Sequence, residues 1–391
     1  MLHLTEHERS KPVTLTALQR HVLAEEFRAR FEPAGDGRVI VTPRDRVGFA
    51  TVDDLQVIVR PKFPIRNLLT LLSEAADPYR WLDLDVASLP DTSLHDAVAA
   101  LFARSCQQTF QQGILRSYHG EHQKLPFVRG RIRIDDYLRT PAPIPIPLAA
   151  DVFDDDILEN QILKATLAYL RSLPDLSGST RSAILRALRA VNHVQDLHDP
   201  LRAFASISWT RQNLHYQSII ALAELILNGG SLDSARAGVS HSGFVIDMPQ
   251  MVEQWARSAL RTVWGLSTRS MPDHWGGHLW LDESRRLSLI PDLGVRIGDE
   301  WRFVGDVKYK ALKGDAAPRD DLYQMHAYLT ATGLSEGTLI YVGVAGTNRS
   351  VRISKLDRTI HIVSVDLNGA HPRHSLTGVM GRFVVPMLGA R

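Results

Sequence analysis

The stretch "LIPDLGVRIGDEWRFVGDVKYK", residues 289–310, places three charged residues within two apolar runs. Asp292 lies in the first run, and Asp306 and Lys308 lie in the second. Both runs have the composition of buried β-strands. A charge in such a strand is unfavourable unless it is paired, ligates a metal or takes part in chemistry. The stretch therefore predicts two adjacent strands that carry a functional site.

The residues between the two runs, Gly-Asp-Glu at 298–300, are typical of a turn. If they form a hairpin loop, Ile297 faces Trp301, and counting outward places Asp292 opposite Asp306. Directly opposed residues have Cβ atoms roughly 4.5–5.5 Å apart. Two carboxylates at that distance repel each other unless a cation lies between them.

A hard dication binds a few carboxylates together with waters and phosphate oxygens. We therefore expect Asp292 and Asp306 to hold Mg²⁺, with Mn²⁺ as a substitute, and the Val307 carbonyl to be a further ligand. Lys308 lies on the same face as Asp306 because side chains alternate along a strand. It would orient a water or offset the charge that builds on a phosphate.

The alternative is a pair of edge strands whose charges face solvent. Apolar neighbours such as Val304 and Val307 favour burial instead. An acidic residue two positions before a lysine occurs only once in the chain, at Asp306 and Lys308. Pro-Asp occurs four times, but only the copy at Pro291 lies one hairpin upstream of that pair.

The order of elements in the last third of the chain resembles the PD-(D/E)xK nuclease superfamily, whose core is helix, three strands, helix and strand. The sequence predicts a helix near 247–264, strands as far as 311, a helix at 319–331 and a strand at 338–344. The resemblance implies a mixed sheet flanked by helices, like that of restriction endonucleases.

In that superfamily two acids hold a divalent metal and the lysine assists the attacking water. By position, these residues would be Asp292, Asp306 and Lys308. The first helix often supplies a glutamate, which would be Glu253, although an exposed helix charge is an equal alternative. Some branches place a glutamine on the helix after the lysine strand, and Gln324 fits. For Tyr328, one turn further along, core packing is the favoured role.

Several separated segments, in the same order, resemble the McrC family, the nuclease subunit of McrBC modification-dependent restriction systems. They are "IVRPKFPIRNLLTLL", "FVRGRIRI", "DVFDDDILENQILKATL", "IDMPQMVEQWARSAL" and "IPDLGVRI…FVGDVKYKAL…RDDLYQMHAYL". The chain departs from the family at 251–253, where Met-Val-Glu replaces Leu-Phe-Glu, and its helical middle is long.

The resemblance implies a metal-dependent endodeoxyribonuclease that cuts double-stranded DNA. It also implies a McrB-like AAA+ GTPase partner, which reads modified cytosine and is stimulated by the nuclease subunit. The chain has no Gly-Lys dipeptide and hence no GxxxxGK[ST] phosphate loop. We therefore expect no nucleotide to bind this chain, and any nucleotide hydrolysis to come from the partner.

The pattern of apolar residues and breakers predicts a multi-domain α/β protein. Residues 1–90 have the composition of short strands and turns, and by resemblance they would dock the AAA+ partner. Residues 91–240 carry mainly helical patterns. Residues 241–391 alternate strands and helices and would form the endonuclease domain.

The bulk composition restricts the class of protein. The chain has 391 residues, 44% hydrophobic and 23% charged, as in an ordinary globular protein. It has no run of about 18 apolar residues and a polar start, so we expect neither a membrane span nor a signal peptide. The single cysteine excludes an internal disulfide and fits the cytoplasm. With a net charge of +2, we expect weak DNA affinity without a partner.

Two other functions stay open at this point. One is a stand-alone repair or recombination nuclease of the same superfamily. The other is a non-catalytic activator or scaffold of a AAA+ ring. Nuclease activity without any NTPase would favour the first, and intact restriction by an Asp306→Ala variant would favour the second.

Overall fold

The structure is a computed structural model that describes residues 1–76, 93–128, 130–139, 144–229, 241–275, 279–310, 312, 317–343, 348–369, 376–378 and 380. The contacts divide the chain into two compact units. The first consists of Met1–Val98 and Gly229–Arg391, and the second consists of Ala99–Asn228. The boundaries of the three predicted domains, at residues 90 and 240, lie outside the described residues, so that division stays a prediction.

The protein is a mixed α/β structure with several sheets, as the sequence predicts. The described strands are β1 (Leu2–Thr5), β2 (Arg30–Gly35), β3 (Arg38–Thr42), β4 (Arg46–Val52), β5 (Leu55–Arg60), β6 (Ser117–Leu125), β7 (Arg131–Ile132), β8 (Ile146–Asp154), β9 (His241–Asp247), β10 (Leu279–Trp280), β11 (Ser288–Leu289), β12 (Leu293–Ile297), β13 (Glu300–Lys308), β14 (Glu336–Gly343), β15 (Arg349–Ile353) and β16 (Arg358–Asp366). The described α-helices are α1 (Ala17–Phe27), α2 (Ile65–Ala76), α3 (Leu94–Gln111), α4 (Ile134–Leu138), α5 (Leu158–Ser172), α6 (Gly178–Ala190), α7 (Pro200–Ala203), α8 (Gln217–Gly229), α9 (Met248–Val263) and α10 (Arg319–Thr332). None of the described helices combines the length and the apolarity needed to cross a bilayer.

The amino-terminal region contains helices as well as the expected strands. Helix α1 was not expected, although a capping box marks its start: the Thr16 side chain accepts from the Gln19 amide, and the Gln19 side chain accepts from the Thr16 amide. That pattern satisfies two backbone N–H groups at the helix start. Strands β2 and β3 form a hairpin, and β1, β5, β4 and β9 form a four-stranded sheet in that order.

Strand β9 is a feature that local sequence patterns do not reveal. It precedes the carboxyl-terminal helix α9, yet it pairs antiparallel with β4 of the amino-terminal sheet, from Arg46 opposite Asp247 to Val52 opposite His241. The pairing requires glycine at position 48. That residue has a φ of +142°, and a Cβ built there would lie 2.0 Å from the Phe244 carbonyl oxygen.

The second unit combines helices with a three-stranded sheet of order β6-β8-β7. The Pro-rich and then acidic sequence of residues 140–156, "TPAPIPIPLAADVFDDD", predicts an extended connection. That expectation is wrong for β8, which pairs with β6 over nine residues. Strand β7 spans only two residues, so β8 is an edge strand along most of its length, where a proline such as Pro147 is tolerated.

The carboxyl-terminal sheet has five strands in the order β12-β13-β14-β16-β15. Strand β13 runs antiparallel to β12 and parallel to β14, which is parallel to β16. Helix α10 lies between β13 and β14 in the sequence and packs Met325, Tyr328 and Leu329 into the core that lines this sheet. Helix α9 contacts β13 as well, so two helices and two neighbouring strands support the strand that carries Asp306 and Lys308.

We expect Gly48→Ala to destabilise the protein, because the new Cβ would collide with the β9 backbone and would occupy a left-handed conformation. Overpacking and strain together cost about 2–4 kcal/mol. Thermal unfolding should therefore show a melting temperature several degrees below wild type. Gly178→Ala, at the start of α6, is the matched control because nothing lies within 4 Å of the new Cβ. Equal melting temperatures for the two variants would contradict the packing described for β4 and β9.

Candidate active site

The hairpin that brings the two acids together differs from the expected one at its tip. Ile297 pairs with Glu300 and Arg296 pairs with Trp301, so the expectation that Ile297 faces Trp301 is wrong. The loop has two residues, Gly298 and Asp299, instead of three, because Gly298 adopts a φ of +63° and closes the tighter turn.

A β-bulge corrects the register before the site is reached. The pairing shifts between Val295 and Arg296, so that Leu293 lies opposite Gly305. A bulge of this kind adds one residue to one strand of an antiparallel pair. Asp292 directly precedes Leu293, and Asp306 directly follows Gly305. The two acids therefore meet at the end of the ladder, as the sequence predicts, although the loop is one residue shorter than expected.

Asp292 is fixed from two directions. Its carboxylate Oδ2 accepts a hydrogen bond of 2.8 Å from the Val307 backbone N–H. Its main-chain carbonyl accepts from Nε and Nη2 of Arg257, at 3.2 and 2.9 Å. Arg257 belongs to α9, one turn after Glu253. The sequence reasoning missed this arginine, although the i, i+4 spacing that places it beside Glu253 was visible.

Asp306 is a buried carboxylate whose side chain is 1% exposed. Its Oδ2 forms a close ion pair with Lys308 Nζ. Neither carboxylate oxygen accepts a hydrogen bond of good geometry within the described residues. A buried carboxylate with unused acceptor capacity is energetically unfavourable, and such groups are concentrated at functional sites.

The pKa values of both acids rise well above their ordinary value of 3.8. Burial, with a contribution from the negative charge of Glu253, raises the pKa of Asp292 to about 6. Burial and the neighbouring charge of Asp292 raise the pKa of Asp306 to about 7. Burial alone would lower the pKa of Lys308, but Asp306 and Asp292 outweigh it, so this pKa is raised and the lysine stays charged.

Lys308 is held by a chain of hydrogen bonds that runs through α10. Its Nζ donates to Gln324 Oε1 at 2.9 Å, and Gln324 Nε2 donates to the Tyr328 hydroxyl at 2.8 Å. Tyr328 Oη in turn donates to the Ile290 carbonyl at 2.9 Å. Gln324 thus joins the site, as expected. Tyr328 is packed in the core, as expected, and it also links the lysine to the segment that precedes Asp292.

Glu253 lies within the electrostatic reach of the site. Burial raises its pKa, the charge of Arg257 lowers it and that of Asp306 raises it, with a net rise. Within the described residues, however, no group of three His, Cys, Asp or Glu side chains is arranged to hold a metal ion. The structure therefore brings together Asp292, Asp306, Lys308 and Gln324, and Glu253 does not complete a three-carboxylate set.

The donor set fits a hard divalent cation. Two carboxylates share a buried position, and neighbouring negative charge contributes to raising both pKa values. Among the described residues, Asp306 Oδ1 accepts no hydrogen bond, and Oδ2 has only the close ion pair with Lys308. A cation between the acids would relieve their repulsion and use those oxygens. Carboxylate oxygens are ligands that Mg²⁺ and Mn²⁺ prefer.

Comparison with known proteins identifies the family. The family model "McrBC 5-methylcytosine restriction system component" matches residues 41–342. The chain belongs to the McrBC family. The resemblance seen in the sequence is thereby confirmed, and the matched region runs from β3 into β14 and includes Asp292, Asp306 and Lys308.

Individual relatives of this McrBC-family chain are distant. The type IV methyl-directed restriction enzyme EcoKMcrBC of Escherichia coli strain K12 is 22% identical over 183 residues, which cover 43% of this chain and 49% of that protein. The chain thus spans about half the length of this curated relative. A chain from the refined half-complex of Thermococcus gammatolerans McrB AAA+ hexamers with bound McrC has a TM-score of 0.58 and 20% identity, covering 98% of this chain and 100% of that one. That structure shows that the overall fold is shared.

We expect Asp306→Asn to stabilise the metal-free protein at alkaline pH. In the folded protein the pKa of Asp306 is raised from 3.8 to about 7, so the fold favours the protonated acid. The stability that this preference contributes is fully present below pH 3.8 and is lost as the pH rises through about 7. The difference in melting temperature between variant and wild type, measured in EDTA, should therefore grow from pH 5 to pH 8.

Addition of Mg²⁺ at pH 8 should raise the melting temperature of the wild type and leave Asp306→Asn nearly unchanged, because ligand binding stabilises only the form that binds it. Asp54→Asn, an exposed carboxylate in the β4–β5 turn, is the control and should behave like wild type. A pH-independent difference, or equal stabilisation of Asp306→Asn by Mg²⁺, would show that the two acids do not share a cation site.

Proposed function

We propose that this McrBC-family chain is the Mg²⁺-dependent endonuclease subunit of a modification-dependent restriction system. It cuts double-stranded DNA together with a AAA+ GTPase partner, whose activity it stimulates. The observation that carries the proposal is the buried pair of carboxylates, Asp292 and Asp306, with the charged amine of Lys308 against Asp306. These side chains, on two adjacent strands, resemble the set expected of a PD-(D/E)xK nuclease, which supports the proposal.

Each residue has a role that follows from its contacts. Asp292 and Asp306 would hold Mg²⁺, with the Val307 carbonyl as a further ligand. Lys308 carries a positive charge at the site and would orient the attacking water or offset negative charge on the phosphate. Gln324 accepts from the Lys308 amine and so fixes its direction. Bound Mg²⁺ would supply Lewis-acid polarisation of the phosphate and a more acidic water.

Arg257 contributes by fixing the backbone of Asp292. Two of its N–H groups converge on one carbonyl oxygen, an arrangement that restrains both the arginine and the acid. Its positive charge also lies within reach of Glu253 and Asp292. Asp292 is thus held by α9 on one side and by the Val307 amide of β13 on the other.

The partner is supported by family membership and by the sequence. The related Thermococcus gammatolerans assembly contains McrB AAA+ hexamers with bound McrC. The present chain lacks a GxxxxGK[ST] phosphate loop, so it has no such site of its own for NTP hydrolysis. A net charge of +2 gives little general attraction for DNA, which fits delivery of the substrate by a motor.

We expect Asp292→Ala, Asp306→Ala and Lys308→Ala each to abolish cleavage while the AAA+ partner remains bound and its GTPase remains stimulated. Each substitution removes a group of the site but leaves the amino-terminal sheet intact. The measurement is co-purification with the partner, followed by Mg²⁺- and GTP-dependent cleavage of methylated and unmethylated DNA. Glu283→Ala, an exposed residue between β10 and β11, is the control and should cut like wild type.

The alternatives give different outcomes in the same assay. Cleavage by the wild-type chain without any nucleotide or partner would indicate a stand-alone nuclease. Wild-type cleavage by Asp306→Ala would show that this site does not cut, and would leave activation of the AAA+ ring as the function. Loss of partner binding in all three variants would indicate misfolding instead of lost chemistry, and circular dichroism would reveal it.

Glu253 and Asp292 should differ in their effect on metal binding. Because Glu253 does not belong to a three-carboxylate set, Glu253→Gln should change the affinity for Mn²⁺ by less than about threefold. Asp292→Asn, which removes a proposed charged ligand, should weaken the binding of Mn²⁺ by about tenfold or more. A tenfold change corresponds to about 1.4 kcal/mol of binding free energy. Calorimetric titration of the purified chain with Mn²⁺ measures both. An equal loss for Glu253→Gln would make this glutamate a metal ligand.

A further inference from the structure

Strand β13 ends at Lys308, the proposed catalytic lysine. Its last pair in the parallel ladder joins Lys308 to Tyr341 of β14. Beyond that pair the Lys310 N–H turns back to the Lys308 carbonyl at 2.9 Å. The end of a strand opens more easily than its middle, because fewer ladder hydrogen bonds restrain it. A lysine at that place needs another restraint to hold its amine against Asp306.

The next residue, Tyr309, supplies a restraint. It is buried, and because side chains alternate along a strand it points away from the face that carries Lys308. Its hydroxyl donates to Glu6 Oε1 at 2.5 Å. Glu6 directly follows β1 of the amino-terminal sheet and is 1% exposed. The same Glu6 oxygen accepts the Lys62 backbone N–H at 2.8 Å, which fixes the carboxylate itself.

The aromatic ring of Tyr309 is held as firmly as its hydroxyl. The Lys62 ammonium lies 3.9 Å from the ring centroid, within the range of a cation–π interaction. Phe63 meets the same ring edge-on, with centroids 6.5 Å apart and an interplanar angle of 78°. Tyr309 is thus held by three residues: Glu6 through a hydrogen bond to its carboxylate, and Lys62 and Phe63 through contacts with the ring. We refer to Tyr309, Glu6, Lys62 and Phe63 as the Tyr309 anchor.

We propose that Tyr309 is a positioning residue for the nuclease reaction, because the Tyr309 anchor fixes the end of β13 and thereby holds the Lys308 amine at Asp306 and Gln324. This inference rests on the proposed function. Lys308 and Tyr309 share a peptide unit, so a displaced Tyr309 moves the lysine backbone. A misplacement of about 1 Å at a reacting centre can lower a rate roughly 100-fold.

The opposite side of the strand end is restrained separately. Lys310 Nζ lies 2.8 Å from Asp321 Oδ2, which also accepts from the Tyr341 hydroxyl at 2.5 Å. Three successive side chains are therefore each bound to another residue. Lys308 and Lys310 bind Gln324 and Asp321 of α10, and Tyr309 binds Glu6, which follows β1. Of these three contacts, the one made by Tyr309 reaches the amino-terminal region, which by family resemblance is the part that docks the partner.

Tyr309→Phe tests the proposal because it removes the hydroxyl and keeps the ring. In the assembled complex we expect the single-turnover cleavage rate to fall roughly 10- to 100-fold, while the KM for DNA stays at the wild-type value. Tyr216→Phe is the matched control: Tyr216 is a buried tyrosine of the second unit whose hydroxyl accepts the Leu115 N–H at 2.9 Å. Tyr216→Phe should lower the free energy of unfolding about as much as Tyr309→Phe does, but the variant should cleave DNA at the wild-type rate.

The partner of the hydroxyl gives a second test. Glu6→Ala should lower the cleavage rate as much as Tyr309→Phe, and Glu6→Gln, which retains an acceptor oxygen, should recover most of it. The double variant Tyr309→Phe with Glu6→Ala should be no slower than either single variant, because both remove the same interaction. Wild-type cleavage by Tyr309→Phe, or strictly additive losses in the double variant, would overturn the proposal.

A readout that does not depend on cleavage separates this inference from the proposed function. In wild-type protein the Lys308 amine, held at Asp306 and Gln324, should react slowly with acetic anhydride, as measured by mass spectrometry of the full chain. Tyr309→Phe should accelerate acetylation of Lys308 several-fold and Tyr216→Phe should not. If neither the wild-type protein nor any variant cuts DNA, the proposed function is wrong. The difference in Lys308 acetylation between Tyr309→Phe and wild type would still decide whether Tyr309 positions the lysine. Equal acetylation in all three proteins contradicts it.

Discussion

The mutual repulsion of two buried carboxylates is the constraint on which the arrangement of the site depends. Asp292 and Asp306 lie side by side at the end of the β12–β13 ladder, and burial raises both pKa values. The surrounding groups offset this repulsion only in part: the Val307 amide donates to one acid, and Lys308 pairs with the other. The remaining negative potential is what a divalent cation would neutralise, so the feature that destabilises the metal-free fold would also be the source of the proposed metal affinity.

The supports of this site come from distant parts of the chain. Arg257 of α9 holds the Asp292 backbone, and α10 holds Lys308 through Gln324. Helix α9 is fixed in turn by the amino-terminal region, since the Trp255 indole donates to Glu74 of α2 at 2.8 Å. Together with β9 in the amino-terminal sheet and the Tyr309 anchor, these contacts make the first unit a single structure. A site that must be accurate to within a fraction of an ångström is supported from several elements at once.

The sequence placed the three charged residues of the candidate site better than it predicted the contacts that hold them. Asp292, Asp306 and Lys308 could be found because charges inside apolar strands are rare and strand alternation fixes their faces. The hairpin tip could not be derived from the sequence, because a two-residue loop followed by a bulge gives the same register at Asp292 and Asp306 as a three-residue loop without one. Three of the supporting contacts join residues that are tens to hundreds of positions apart in the sequence. They are the contact of Arg257 with Asp292, the pairing of β9 with β4, and the hydrogen bond between Tyr309 and Glu6. No local periodicity encodes such contacts. Family resemblance suggested Gln324, which the structure brings to Lys308, and Glu253, which lies near the site without completing a metal set.

The most direct test of the central claim is to locate the metal itself. Crystals of the protein grown with Mn²⁺ would give an anomalous difference signal at the bound ion. We expect one strong peak between the carboxylates of Asp292 and Asp306, within reach of the Val307 carbonyl oxygen, since oxygen ligands suit a small hard dication. The same peak should be missing in Asp306→Asn. A peak elsewhere in the molecule, or none at saturating Mn²⁺, would contradict the assignment of these two acids as the metal site.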